Sequence, residues 1–165
     1  MDNVRIVKLD ADDLPTFKAI RLESLRRAPS AFANTEADWA SLPDAEWINR
    51  INKPVFAVLK GDEPVGVMGL LMQHGAKKAH RATLIMAYLR ESERGKGIAA
   101  DLLRVVTSFA KGAGVRQLEL NVSEHNIGAI RFYERHGFTA VGRIPQALID
   151  TGHAVDELIM VRRLS

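Results

Sequence analysis

The chain has 165 residues, 47% of them apolar, which is the size of one domain with a sizeable core. A formal net charge of +3 is too mild to imply nucleic acid but suits an anionic small ligand. The absence of cysteine excludes a disulfide framework, a thiolate zinc site and a cysteine nucleophile.

The first residues, MDNVRIV, lack the cationic-then-apolar pattern of a secretory signal. No apolar run approaches the roughly 18 residues of a membrane span. A cytoplasmic protein with no membrane partner is therefore expected. Residues 4–9 alternate and carry β-branched side chains, which predicts a first strand. Asp10, Asp12 and Asp13 are N-cap candidates for a helix over 14–27, with Pro15 tolerated in its first turn and Pro29 ending it. Residues 30–43 read as irregular, and a short helix is expected over 44–52. Three strand-like runs follow, 55–59, 65–72 and 79–89, joined by short turns that imply an antiparallel meander.

Residues 98–113 take a helical pattern. Ile98, Leu102, Val106, Phe109 and Ala113 fall on one face, and Asp101, Arg104, Ser108 and Lys111 on the other. A strand over 117–123 completes a strand–helix–strand crossover, so it should lie parallel to the 80–89 strand. Asn126 caps a further helix ending near His136, with Gly137 at C′. Strands over 138–143 and 155–161 finish the chain. No repeat, low-complexity stretch or linker interrupts it, so residues 1–165 are expected to form one domain.

The segment Arg94-Gly95-Lys96-Gly97 joins a strand to a helix. The first N–H groups of a helix have no intrahelical partner, and its dipole adds partial positive charge there. Glycines let a bulky anion approach the backbone, and Arg94 and Lys96 add formal charge. The sum predicts a phosphate or pyrophosphate cradle. A P-loop is excluded, because Ile98 follows Gly97 where a hydroxyl is needed. A dinucleotide fingerprint, G-x-G-x-x-[GA], is formally matched by Gly95, Gly97 and Ala100. It stands as an alternative, although a polar segment separates it from the strand.

Arg94-Gly95-Lys96-Gly97-Ile98-Ala99 resembles the [QR]-x-x-G-x-[GA] motif of the GNAT superfamily of acyl-CoA-dependent N-acyltransferases. Asn126, Ala129, Phe132, Tyr133, Glu134, Gly137 and Phe138 resemble that family's second signature. Residues 80–143 carry the specific part. The resemblance implies an α/β (α+β) fold, with a mixed, strongly twisted sheet of six to seven strands and helices on both faces. It implies acetyl-CoA as co-substrate and acetyl transfer to a primary amine. The pyrophosphate would lie on the backbone of Arg94, Gly95, Lys96, Gly97, Ile98 and Ala99. The pantetheine arm would lie where the 80–89 and 117–123 strands part, against Tyr88 and Leu89, with Asn126 and Tyr133 facing the same groove.

An alkyl ammonium has a pKa of about 10.4 and must lose a proton before it attacks. A backbone N–H at the end of the 80–89 strand, that of Leu89, would stabilise the oxyanion. Tyr133 is assigned as general acid toward the leaving thiolate. No cysteine is present, so direct transfer in a ternary complex is expected. Several family members place a glutamate on the fourth strand. Here that strand holds no carboxylate, and His80, Glu119, Glu124 and His125 read as ordinary surface residues, so no base is assigned.

The missing carboxylate keeps open a second reading, a non-catalytic acyl-CoA-binding sensor module. The five histidines show no ligand spacing, so no metal is expected. Phe32, Trp39 and Trp47 either pack the N-terminal helices onto the sheet or line the acceptor pocket. The acceptor, a small-molecule or peptide amine, stays open. A homodimer is common in the family.

Overall fold

The computed structural model describes residues 3–165. Seven strands form one sheet in the order β1-β2-β3-β4-β5-β7-β6. They are β1 (Val4–Lys8), β2 (Val55–Lys60), β3 (Glu63–Met72), β4 (Arg81–Leu89), β5 (Gln117–Ser123), β6 (Thr139–Asp150) and β7 (His153–Arg163). The helices are α1 (Leu14–Arg27), α2 (Glu36–Ala40), α3 (Asp44–Ile51), α4 (Ile98–Gly112) and α5 (Ile127–Arg135). β4 and β5 pair in parallel and all other neighbours are antiparallel. One parallel pair in a seven-stranded sheet is not a doubly wound dinucleotide domain, which removes that alternative.

The period-two pattern of the central strands sorts side chains to two layers. Phe56 and Val58 of β2 join the core under α4 and α5, with Leu102, Val106 and Tyr133. Val55 and Ala57 face the other way, into the core under α1, α2 and α3, with Phe17, Ile20 and Trp47. Helices thus cover both faces. Phe17, Trp39 and Trp47 meet edge to face, with centroids 5.2–6.2 Å apart.

β4 carries one extra residue. Val67 pairs with Tyr88 and Gly69 with Ile85, so two steps along β3 match three along β4. Met86 absorbs the mismatch at φ 59°, and Ile85 and Met86 both face the α1–α3 layer. Gly69 opposite the bulge leaves room for it: a Cβ there would sit 2.6 Å from Met86 Cε.

Three expectations are corrected. Residues 30–43 are not wholly irregular, since α2 lies within them, preceded by a 3-10 turn at Pro29–Ala31. Its start is written as a capping box: Thr35 Oγ1 accepts from the Asp38 N–H, and Asp38 Oδ2 accepts from the Thr35 N–H. The final hairpin is longer than expected. A register shift between Ile144 and Leu148, with Gln146 at φ 49°, accommodates Pro145, and the strands continue to a tight turn at Thr151-Gly152. Ala113, placed on the apolar face of α4, is exposed at its C-cap. Thr35→Ala should cost about 1 kcal/mol in chemical denaturation, because the short helix carrying Trp39 loses its cap.

Candidate active site

β4 and β5 pair only from Arg81 to Thr83 and from Gln117 to Glu119. Beyond that point β5 stays with β7 as far as Ser123, and β4 stays with β3 as far as Leu89. The two parallel strands therefore part. A cavity of about 470 Å³ opens between them, walled by Leu84 to Ala87 on one side and Leu120 to Val122 on the other. Asn126, Ala129 and Tyr133 of α5 line it, and it continues to Arg21, Phe32 and Trp39.

Seven residues separate Asn126 from Tyr133, nearly two helical turns, and both reach this cavity. Asn126 is also the α5 N-cap, its Oδ1 accepting from the Ala129 N–H at 3.3 Å. Tyr133 is 8% exposed, with its ring set edge-on against Phe132 and Phe138. Its hydroxyl bonds to no protein group among the described residues, and burial pushes its pKa up to about 12.

Tyr88 and Leu89 do not line the cavity with their side chains. The bulge turns Tyr88 into the opposite layer, where its hydroxyl donates to Glu23 at 3.0 Å. Burial works against the charge on Glu23. The Arg90 guanidinium and the Tyr88 hydroxyl outweigh it, holding the carboxyl below the usual range. The backbone of Leu89 is what faces the gap. The Arg90 N–H donates to Val65 in β3, so by antiparallel alternation the Leu89 N–H and carbonyl point the other way, toward the departed β5.

The glycine turn lies past the end of β4, outside the cavity wall. Gly95 and Gly97 have φ 79° and 83°, and a Cβ on either would meet nothing within 4 Å. Gly97 is the N-cap of α4, and Ile98 behind it is buried in the same core as Leu89 and Tyr133. Among the described residues, the N–H groups of Gly95, Gly97, Ile98, Ala99 and Ala100 donate to no other group, as expected of a helix start. The two cations are less free than expected. Arg94 Nε turns back onto the Leu89 carbonyl at 2.9 Å, and Lys96 Nζ lies 3.3 Å from the buried carboxylate of Glu93.

The carboxylates weighed from sequence are pinned. Glu119 is gripped by both Arg81 and Gln117, and Glu124 by Arg143. Sequence reasoning missed Glu157 on β7, which pairs with Ser123 across the sheet and lines the cavity. Its carboxylate has no hydrogen-bond or ion-pair partner among the described residues, and burial pushes its pKa up. It also missed Arg21. Phe32 and Trp39 line the cavity, while Trp47 does not and packs in the core under α1, α2 and α3. No cluster of metal-ligating residues occurs among the described residues, and no helix there is long and apolar enough to cross a membrane.

The fold of this mixed sheet with helices on both faces is shared with solved acetyltransferase structures. The acetyltransferase of GNAT family from Streptococcus pneumoniae superposes with a TM-score of 0.85 at 17% identity, covering 99% of this chain and 100% of that one. The structure of yncA from Salmonella typhimurium with its cofactor acetyl-CoA gives 0.83 at 18% identity, over 99% and 95%. The chain belongs to the acetyltransferase (GNAT) family, whose model matches residues 19–138. YwnH of Bacillus subtilis is 29% identical over 92 residues, 56% of each chain, so this match spans just over half of that relative. The L-methionine sulfoximine/L-methionine sulfone acetyltransferase of Pseudomonas aeruginosa is 23% identical over 152 residues, 90% of this chain and 87% of that one.

Proposed function

We propose that this protein transfers an acetyl group from acetyl-CoA directly to a primary amine. The observation that carries the reading is the Tyr133 hydroxyl in the gap between β4 and β5, without a partner among the described residues, with the open amides of Gly95, Gly97, Ile98, Ala99 and Ala100 beyond the end of β4. Those amides and the α4 dipole would hold the diphosphate, and two glycines with open space at the Cβ position leave room for it. Acetyl-CoA supplies an activated acyl carbon and a thiolate leaving group.

The protein's own groups divide the remaining work. Glu157 takes a proton from the incoming ammonium, because it is the cavity carboxylate without a partner; Glu46 is held by Arg50 at 2.9 Å. The freed amine forms the new C–N bond. The Leu89 N–H donates to the former carbonyl oxygen as negative charge builds there. The C–S bond then breaks, and Tyr133 gives its proton to the sulfur. The nitrogen, now an amide, sheds the proton that restores the phenol. Burial disfavours a thiolate as it disfavours a phenolate, which narrows the gap the proton must cross.

Calorimetry with acetyl-CoA is the direct test. Binding is expected below millimolar concentration, and silence at millimolar ligand would sink the reading. Gly97→Val should weaken acetyl-CoA at least about tenfold. A β-branched residue resists φ 83°, and its side chain would stand where the anion approaches.

A further inference from the structure

Arg21 is 2% exposed, and no carboxylate pairs with its charge among the described residues. Its Nε is buried without a hydrogen-bond partner. Nη1 reaches only the Ser24 hydroxyl, at a long 3.4 Å, and that hydroxyl donates to the carbonyl of Arg21 itself. Nη2 has no partner among the described residues and, unlike Nε, keeps some accessible surface, and Arg21 lines the cavity. Phe32 and Trp39 lie 4.9 and 4.4 Å from the guanidinium carbon. Their rings offset part of the cost of burying a cation but offer it no oxygen.

The surroundings raise that cost. Arg50 stacks on the same Trp39 at 4.4 Å, and among the described residues the carboxylate it meets is that of Glu46. Burial first, then the Arg50 charge, lower the Arg21 pKa to about 10. Elsewhere the chain treats a partly buried arginine differently. Arg90 is held by Glu23 and Glu63, and Arg81 by Glu119. A buried guanidinium left open on a cavity is a charge awaiting an anion from outside.

We infer that Arg21 forms an oxyanion subsite at the acceptor end of the cavity, so that the amine acetylated here also carries a carboxylate or a phosphonate-like group. The inference rests on the acetyl-transfer reading above and names its substrate class. A planar guanidinium suits such a group, since two N–H donors can meet two oxygens. The rings of Phe32 and Trp39 exclude water around the pair, which strengthens it.

The test uses matched amines in an acetyl-CoA thiol-release assay: each common L-α-amino acid against its carboxamide, and 2-aminoethylphosphonate against ethanolamine. In every accepted pair the anionic member should win by about tenfold or more in kcat/KM, chiefly through KM. The carboxylate and phosphonate arms tell the two oxyanions apart. Arg21→Gln should bring the pair near parity with the acetyl-CoA dissociation constant unchanged, and Arg21→Lys should keep part of the preference. Melting without acetyl-CoA gives an independent readout: the preferred anion should raise the Tm of the wild type and not of Arg21→Gln. Equal use of neutral amines, a preference that survives Arg21→Gln, or acetyl-CoA binding with no anionic amine accepted would each overturn the inference. Failure to bind acetyl-CoA would instead remove acetyl transfer, and the melting arm would still decide whether Arg21 binds an anion.

Discussion

Tyr133→Phe should lower kcat by about 10²- to 10⁴-fold, the usual worth of a positioned general acid, while the acetyl-CoA dissociation constant stays essentially unchanged. The two readouts separate because the substitution removes one oxygen and keeps the ring. Packing against Phe132 and Phe138 survives, and no protein group loses a partner, since the hydroxyl bonds to none among the described residues. Steady-state thiol release gives the first quantity and calorimetry the second. A proton donor must hold its proton. With its pKa pushed up to about 12 by burial, Tyr133 stays protonated well past the pH at which an exposed tyrosine ionises. Loss of activity through its ionisation is therefore expected only above about pH 11. Unchanged turnover in the phenylalanine variant would take Tyr133 out of the reaction.

Glu157→Gln should reduce kcat/KM by about 10²-fold at neutral pH. The pH profile makes the assignment specific. The glutamate works as its carboxylate, so activity is lost as pH falls through its pKa. Burial raises that pKa, so the loss should begin at higher pH than for an exposed glutamate, and glutamine should erase this acid limb. Glu119→Gln is the control, because its carboxylate is committed to Arg81 and Gln117. If the glutamine variant at 157 kept both rate and limb, the ammonium proton would have to leave by another route, such as ordered water.

The glycine turn and the 126–138 segment were legible because their form depends on local chemistry. The turn before α4 runs at positive φ, which glycine takes without strain, and two residues seven apart on one helix share a face wherever that helix lies. Both demands appear in the order of residues. The same holds for the crossover that makes β4 and β5 parallel. The Thr35–Asp38 capping box is equally local, with aspartate in the place of the usual glutamate or glutamine.

The rest of the site depends on distances between chain segments that no local pattern encodes. Met86 has no marker in the sequence as a bulge residue, yet the bulge decides that Tyr88 meets Glu23 while the backbone of Leu89 meets the gap. Glu157 lies on the last strand, 24 residues beyond Tyr133 in the numbering, and sheet order brings it to the same cavity. Arg21 reads as one more charge on a helix until Phe32, Trp39 and Arg50 close around it and no carboxylate arrives. The sequence by itself determined the family, the layered architecture and the open glycine turn before α4, because these are written in spacing and backbone preference. Only the tertiary structure decided which carboxylate is free and which arginine is left unpaired, because pairing is set by what the fold brings within a few ångströms.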